Sequence, residues 1–559
     1  MKLKKLIVSN YRGLKGDSNE IDFEGSDIIF LIGKNNFGKS TFLHAYNFFV
    51  EPKIKATIND FFNKDTNIPI EITGVFIKEI GDEKDAALKK EDPDWINKWV
   101  DSDGYISIKK VWSAHDQEGQ KKTYNPKTSQ FEDGGFGGFD TLLKKYSPTA
   151  IKINAVSSPE ELEKEINDII TKKHIKKLES EYADKYSAII EGLKDLKEDI
   201  SKSDDINNIN IKMNTFFSGV FPELELEIYS LPESGIDISK TLKSTHGLSV
   251  KDKAVLEDIY DLKNNGHGVM RQAFFSFLST LGADLDKTRK EYLILFEEPE
   301  LYLHPEAVFS LREQLYKLAK NSPFQVLCAT HSPLMIDTAK PHSSLVRLVK
   351  ETSGKDTKTY QVKFDLFEDE EKNFLQMINR FNPHICECFF ADEVVLVEGD
   401  TEAVIYRDLI SRYYRAKDVF ILNTGSKANM VFYQKILTHF GIKHVVVHDV
   451  DAPTYITNQG VEKTNSMWTF NLMIWNEVVE SNKKFPGISR RFTHYLNFES
   501  AHNYKENKLK GKPLSAYEFS QTITLKSDLP CMQFLDDLFG DCKINHSQED
   551  LEKLLIPTP

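Results

Sequence analysis

Apolar residues in this chain follow two patterns. Short continuous runs are the first: Leu6–Val8, Ile28–Ile32, the segment from Tyr292 to Phe296, the stretch "FQVLCA" from Phe324, Val394–Val397 and His444–His448. Each ends abruptly in charged, hydroxyl or glycine residues. Runs this short predict buried strands. The second pattern is a stripe at steps of mostly three or four: Leu162, Ile166, Ile169, Leu178, Tyr182, Tyr186, Ile189, Leu193, Leu196 and Ile200. It predicts helix across Ser157–Ile200, opened by Ser158, Pro159 and Glu161 as cap, first-turn proline and acidic third position. The other faces of that helix are Lys and Glu, which read as solvated.

Strands that alternate with helices give an α/β chain, and composition limits what kind. At 559 residues there is length for three or four folded units. Hydrophobic residues make up 40% and charged residues 28%, and no window approaches a membrane span. The opening "MKLKKLIVSNYRG" reads as a strand rather than a signal peptide. Five cysteines, an odd number, argue for a reducing, cytoplasmic setting. The net charge of −13 neither suggests nor excludes nucleic acid, because phosphates respond to a local groove. His384, Cys386 and Cys388 alternate without a second cysteine pair, so they read as packing rather than as a zinc site.

Candidate chemistry sits where the strands end. After Ile28–Ile32 comes Gly33-x-x-x-x-Gly38-Lys39-Ser40, followed by a helical run. This strand–loop–helix pattern cradles phosphate: the glycines turn N–H groups inward, Lys39 reaches the β- and γ-phosphates, and Ser40 binds Mg²⁺. Asn36 and Thr41 belong to the same nucleotide-binding segment. The strand from Tyr292 ends in Glu297, for the Mg²⁺, and Glu298, for the attacking water. Glu300 reads equally well as a surface charge. A third strand ends at Thr330, His331 and Ser332, where the histidine can sense a γ-phosphate. In the last third, "VVLVEGDTEAVIY" places Glu398, Asp400 and Glu402 at a strand end, and "HVVVHDVDAP" places Asp449 and Asp451 at another. Alternate residues of an extended chain share a side. Clustered carboxylates repel unless a cation neutralises them, and hard oxygen ligands suit Mg²⁺ or Mn²⁺. One or two such ions suit phosphodiester chemistry.

The order of the phosphate loop, "EEPELYLHP" and "ATHSP" resembles an ABC-type ATPase of the DNA-repair and chromosome-maintenance kind. That resemblance implies a switch histidine at His331, a catalytic glutamate at Glu298, and a nucleotide-contacting arginine at Arg12. Glu297 stands where an aspartate is common. "NNGHGVMRQ" is similar to the signature loop that closes a partner's site, with Gly266 and Gly268 facing the γ-phosphate; His267 and Met270 depart from the usual serine and glutamine. The active unit so implied is a dimer. The E…DxD layout resembles a Toprim domain, which implies metal residues at Glu398, Asp449 and Asp451 and a tight turn at Gly399. Its nuclease branch adds acidic positions matched by Glu402 and Glu499 and a lysine matched by Lys512.

An ABC-type ATPase followed by Toprim is the layout of the OLD (overcoming lysogenisation defect) endonucleases, a family that includes the Gabija nuclease subunit and retron-associated OLD proteins. The resemblance implies ATPase segments at 1–155 and 236–365, a helical dimerisation insertion at 156–235, and a Toprim nuclease domain at 370–559. It also implies ATP and Mg²⁺ or Mn²⁺ as cofactors, DNA as substrate and homo-oligomers. A defence-system protein or a retron reverse transcriptase with its RNA–DNA are the implied partners. The alternatives are a DNA-repair type ATPase clamp with a non-catalytic Toprim module, and a topoisomerase or primase. The inserted helices could equally cap their own chain.

Overall fold

Ile28–Ile32 is buried at every position because both faces of its sheet are covered. Ile29 and Leu31 join one large apolar cluster, and Phe30 packs on Tyr316 of the helix Pro305–Ala319 on the opposite face. A computed structural model describes residues 1–16, 19–79, 82, 95–136, 140–155, 161–164, 166–167, 204–230, 246–252, 259–261, 266–284, 290–320, 322–350, 356–363, 383–414, 418–457, 460–540 and 544–554. The chain forms two compact units. One is Met1–Ile336 with Ser343–Thr359, and the other is Asp337–His342 with Tyr360–Pro559.

Two six-stranded sheets build the first unit. Its strands begin with β1 (Lys2–Ser9), β2 (Glu20–Asp22), β3 (Ile28–Ile32), β4 (Ile70–Ile77), β5 (Tyr105–Trp112), β6 (Gln120–Asn125), β7 (Gln130–Asp133) and β8 (Thr149–Ile153). Later come β9 (Leu224–Ser230), β10 (His246–Asp252), β11 (Ile259–Asp261), β12 (Tyr292–Glu297), β13 (Phe324–Ala329), β14 (Leu345–Lys350) and β15 (Thr357–Gln361), of which Thr357–Thr359 fall in this unit. An antiparallel sheet runs β2-β1-β4-β5-β6-β7. The other runs β15-β14-β3-β13-β12-β8, and in it β14, β3, β13, β12 and β8 are mutually parallel. Helix Lys39–Val50 lies in the apolar cluster, its Phe42, Tyr46 and Phe49 among Leu293, Leu295, Ile72 and Phe76. Parallel order brings the carboxyl ends of β3, β12 and β13 to one edge, where ligand crevices of open α/β sheets form.

The insertion differs from the expected all-helical segment. Asp204–Phe217 is a helix, but residues 224–230, placed in the helical stretch, form β9 of a three-stranded antiparallel sheet with β10 and β11. The reason is visible in "LELEIYS": its apolar residues alternate with period two, and Leu226 and Ile228 are buried. Asn214 seals the helix to this sheet, exchanging hydrogen bonds with Leu226 N (2.7 Å) and O (2.8 Å). Most of the helix expected over Ser157–Ile200 lies outside the described residues; 161–164 and 166–167 are helical, with Leu162 and Ile166 buried.

In the second unit, β16 (Glu393–Val397), β17 (Val419–Asn423), β18 (Lys443–Asp449) and β21 (Ser489–His494) make a parallel sheet ordered β17-β16-β18-β21, while β19 (Thr454–Ile456) and β20 (Glu462–Thr464) form a separate hairpin. Register pairs Leu396 with Val446 and Asp449 with His494, so these strands end together. Val395, Val397, Val445 and Val447 pack against Ile405, Tyr406, Phe534 and Leu535. Cys386 and Cys388 are buried, while exposed His384 pairs with Glu387 at 2.5 Å. Among the described residues no helix is long and apolar enough to cross a membrane.

Gly33 is the backbone hinge of the first loop. Its φ of +142° disfavours any side chain, and a Cβ there would stand 2.5 Å from the Leu348 carbonyl oxygen. Gly33→Ala is therefore expected to cost about 2 kcal/mol or more, read as a lowered midpoint in denaturant with an unchanged slope. An unaltered midpoint would contradict this.

Candidate functional site

At the carboxyl edge of the first unit's parallel sheet, three strand ends and one helix start meet. Gly38, at φ +92°, turns the loop into the helix that begins with Lys39. The Lys39 ammonium is 5% exposed and donates to the carbonyls of Gly33 (2.7 Å) and Lys34 (2.8 Å), with His331 Nδ1 at 3.2 Å. Burial lowers its pKa to about 8 despite the opposing charges of Glu298, Glu300 and Glu297. Ser40 donates a short hydrogen bond to Glu297 at the end of β12. Glu298 takes the left-handed region (φ +45°) and reaches His331 Nε2 at 3.3 Å. Burial raises the Glu298 pKa, helped by Glu300 and Glu297, and burial followed by the Lys39 charge lowers His331 to about 4. The pair is thus a neutral imidazole beside a carboxyl made more basic, which suits water activation rather than a fixed ion pair.

Other expected residues of this site have distinct places. Asn36 adopts φ +68° inside the loop, and Thr41 N donates to Gly38 O. Arg12, also left-handed, is held by Asp60 at 3.1 Å through both Nε and Nη2. Gly266 precedes the helix His267–Asp284, and Gly268 lies in its first turn, where a Cβ would come within 2.7 Å of the Tyr302 carbonyl. Glu300 is no mere surface charge: its Oε1 accepts from Thr330 Oγ1 (2.7 Å), His331 N (2.9 Å) and Ser332 N (3.1 Å), clamping the turn that carries the histidine. Arg271 went unnoticed in the sequence. Its buried guanidinium donates to the Glu297 carbonyl and sits 5.2 Å over the Phe296 ring.

The second cluster stands at the carboxyl edge of the other parallel sheet. Glu398 follows β16 and accepts from Asp449 N at 2.8 Å. Gly399 is extended in φ/ψ (−151°, −169°) within the bend that leads from β16 into the helix Asp400–Tyr413, which it caps, and Glu402 in the first turn folds back to within 3.6 Å of where a Gly399 Cβ would be. Acids in that turn also suit the positive helix end. Burial pushes the Glu398 carboxyl up to about 8, with the Asp449 charge next. Burial and then Asp449 push Glu402 up to about 7; burial, Asp451 and Glu499 push Asp449 up to about 7. Lys512, exposed at the start of the helix Lys512–Thr522, acts electrostatically on Glu402. Glu398, Glu402, Asp449, Asp451, Glu499 and Lys512 therefore share one field.

Three residues missed in the sequence support this cluster. Lys427 is 1% exposed and donates to Asp449 O (2.5 Å) and Asp451 Oδ2 (2.7 Å). Buried His494, lowered to about 3 chiefly by desolvation, faces Tyr406 with Nε2 (3.2 Å) and Asp449 Oδ1 with Nδ1 (3.5 Å). Among the described residues neither His494 Nδ1 nor Asp449 Oδ1 makes a hydrogen bond, so the 3.5 Å between them is a close approach and not a bond. Lys427 stood in plain view within "NTGSKAN", but nothing local in that string marks it as buried.

Could this cluster hold a cation? Asp449 Oδ1 is buried and lacks a hydrogen-bond partner, and the donors are all hard oxygens. Both facts fit Mg²⁺ or Mn²⁺. Among the described residues no group of three His, Cys, Asp or Glu side chains is already arranged around one ion position.

Comparisons with known proteins place these two edges. A family model described as an AAA ATPase domain matches residues 1–154 and 107–336. One described as overcoming lysogenization defect protein-like, TOPRIM domain, matches residues 389–451, which contain Glu398, Glu402, Asp449 and Asp451. The chain is 27% identical over 480 residues to the Old nuclease of Escherichia phage P2, covering 81% of this chain and 77% of that protein. It is 23% identical over 492 residues to Endonuclease GajA of Bacillus cereus (strain VD045), covering 82% and 77%. A third similarity, 29% over 164 residues, is to the OLD nuclease of Thermus scotoductus (strain ATCC 700910 / SA-01), covering 28% and 31%. Fold and edges together define an ATP-binding P-loop protein with a Toprim unit. The chain belongs to the AAA ATPase domain family, and its second unit matches the OLD-like TOPRIM domain over residues 389–451.

The raised carboxyls give a signed pH dependence. The folded chain holds protons on Glu398, Glu402 and Asp449 more tightly than the unfolded chain, so this stability is present below the ordinary carboxylate range and is lost as pH rises through about 7 to 8. His444, His494 and His502, lowered to between about 3 and 4, act oppositely only up to the unfolded histidine pKa near 6.5. With EDTA present, the thermal midpoint should fall between pH 6.5 and 8, and Glu398→Gln should shrink that fall. A midpoint that stays flat or rises over this window would contradict the assignment.

Proposed function

We propose that the chain is an ATP-regulated, divalent-metal-dependent DNA endonuclease of the OLD kind. One observation carries the reading: largely desolvated carboxylates from separate segments share a field at the edge of an OLD-like TOPRIM sheet, on a chain that also carries a P-loop ATPase edge. Glu398, Asp449 and Asp451, with Glu402 and Glu499 beside them, would hold Mg²⁺ or Mn²⁺. A cation bound there supplies Lewis-acid polarisation of the phosphate and an activated water at neutral pH. The side chains give up the protons that burial favours and present oxygens to the ion. Lys512 would meet the charge that develops on the phosphate as water attacks and the ester oxygen departs.

At the ATPase edge, Lys39 would turn from its loop carbonyls to the nucleotide's phosphates, and Gly33, Asn36, Gly38 and Thr41 would line them. Ser40 and Glu297 would hold the nucleotide's Mg²⁺. Glu298 would take the proton of the attacking water, with His331 and its Glu300 clamp reporting the γ-phosphate. Arg12 would contact the nucleotide. Gly266 and Gly268 would serve a second copy's site, so the working form would be at least a dimer. The segments 1–155, 156–235, 236–365 and 370–559 would be ATPase, insertion, ATPase and Toprim. DNA would be the substrate and anti-phage defence the setting, with a defence-system protein or a retron reverse transcriptase and its RNA–DNA as partner. A passive clamp is less well supported, because it gives no reason to bury so many carboxylates.

Plasmid and linear DNA incubated with Mg²⁺, Mn²⁺ or EDTA, with and without ATP, test the reading. Cutting should need the divalent ion, and Asp449→Ala or Glu398→Ala should lower it by roughly 10²-fold or more while DNA binding persists. Undiminished cutting in EDTA would refute it. Glu298→Gln should slow ATP hydrolysis about 10²-fold or more with ATP affinity retained; a loss of affinity instead would move Glu298 out of the chemical step.

A further inference from the structure

Lys427 is held as firmly as the acids around it. Its turn, Lys427–Asn429, follows β17, and Ser426 caps it by accepting from Ala428 N at 3.2 Å. Thr424 ties the same loop to the end of β16, donating from N (3.0 Å) and Oγ1 (2.9 Å) to the Val397 carbonyl, next to Glu398. Asn429 Nδ2 donates back to Thr424 O at 2.8 Å. The side chain is wholly buried and ends on Asp449 O and Asp451 Oδ2. Asp451 itself is left-handed (φ +61°), its N–H bound to Leu496 O at 2.7 Å.

That arrangement splits the acidic cluster. One Asp451 oxygen is committed to an ammonium that has no access to water. Taking Asp451 away would strand a buried charge, which costs several kcal/mol in general. Among the described residues Glu398, Glu402 and Asp449 form no ion pair with a lysine, although the Lys427 charge is felt by Glu398 and Asp449: Glu398 Oε1 accepts from a backbone N–H, and Asp449 Oδ1 has no hydrogen bond. We propose that Lys427 is a built-in cation that reserves Asp451, so that the DNA-free chain takes one divalent ion, on the Glu398–Glu402–Asp449 side, rather than two. Lys427 is thus a positioning residue that sets how many ions the site accepts. This rests on the metal reading above and narrows it.

The test counts ions rather than activity. Mn²⁺ bound per full-length chain is measured from the electron paramagnetic resonance of unbound Mn²⁺, without nucleotide or DNA. All proteins carry Ser40→Ala, so that the ATPase edge does not contribute. One Mn²⁺ per chain is expected, and one also in Lys427→Arg, which keeps the charge. Lys427→Met, which keeps the length without the charge, should bind two. Two ions in the parent chain, or one in a folded Lys427→Met, would overturn the role of Lys427 and leave the metal reading intact. No bound ion in the parent would overturn both. Circular dichroism melts report whether Lys427→Met folds; should it not, the counts for the parent and Lys427→Arg still decide.

Discussion

The constraint on which this protein depends is the cost of keeping like charges together out of water. A carboxylate taken from water loses solvation worth several kcal/mol, and each neighbour of the same sign adds to the penalty. The second unit accepts that penalty repeatedly at one sheet edge. Glu398, Glu402 and Asp449 are all displaced toward their protonated forms, and burial is the first cause in every case. A fold meant only to be stable would place apolar residues there, as it does one step earlier along β16 and β18.

The two edges share a geometry and differ in charge balance. Both lie where parallel strands end, and both use a helix start beside the strand end. The ATPase edge gathers three glutamates around two buried cations, Lys39 and Arg271, whose pKa values desolvation lowers to about 8 and about 10. Its charges nearly balance within the chain. The Toprim edge sets five acids, Glu398, Glu402, Asp449, Asp451 and Glu499, against Lys427 within and Lys512 at the rim. That imbalance is the electrostatic basis of the cation site proposed for the second edge.

Motifs that end strands were legible because strand and chemistry are adjacent in sequence. Ile28–Ile32 with its glycine loop, Tyr292–Glu297 with its glutamates, and β16 and β18 with theirs all occur as read. What sequence could not give depends on partners far along the chain. Tyr406 and His494 are 88 residues apart, and Lys427 meets Asp451 24 residues away. Glu300 looked like a surface charge because its three donors lie on another strand end. Gly399 lies in the bend after β16 but keeps extended φ/ψ, so the bend does not call on a glycine's special freedom. β9 escaped because the insertion implied by the resemblance was bounded as helical to 235, although the helical stripe ends at Ile200 and "LELEIYS" has period two.

The most direct test of this account is calorimetry of Mn²⁺ binding to the nucleotide-free chain at pH 7, repeated in buffers of different ionisation enthalpy. If burial and mutual repulsion keep protons on the acidic cluster, the ion must displace them, and the buffers should reveal net proton release on binding. Binding without proton release would contradict the account, because it would mean that those side chains sit ionised and at ease without a cation.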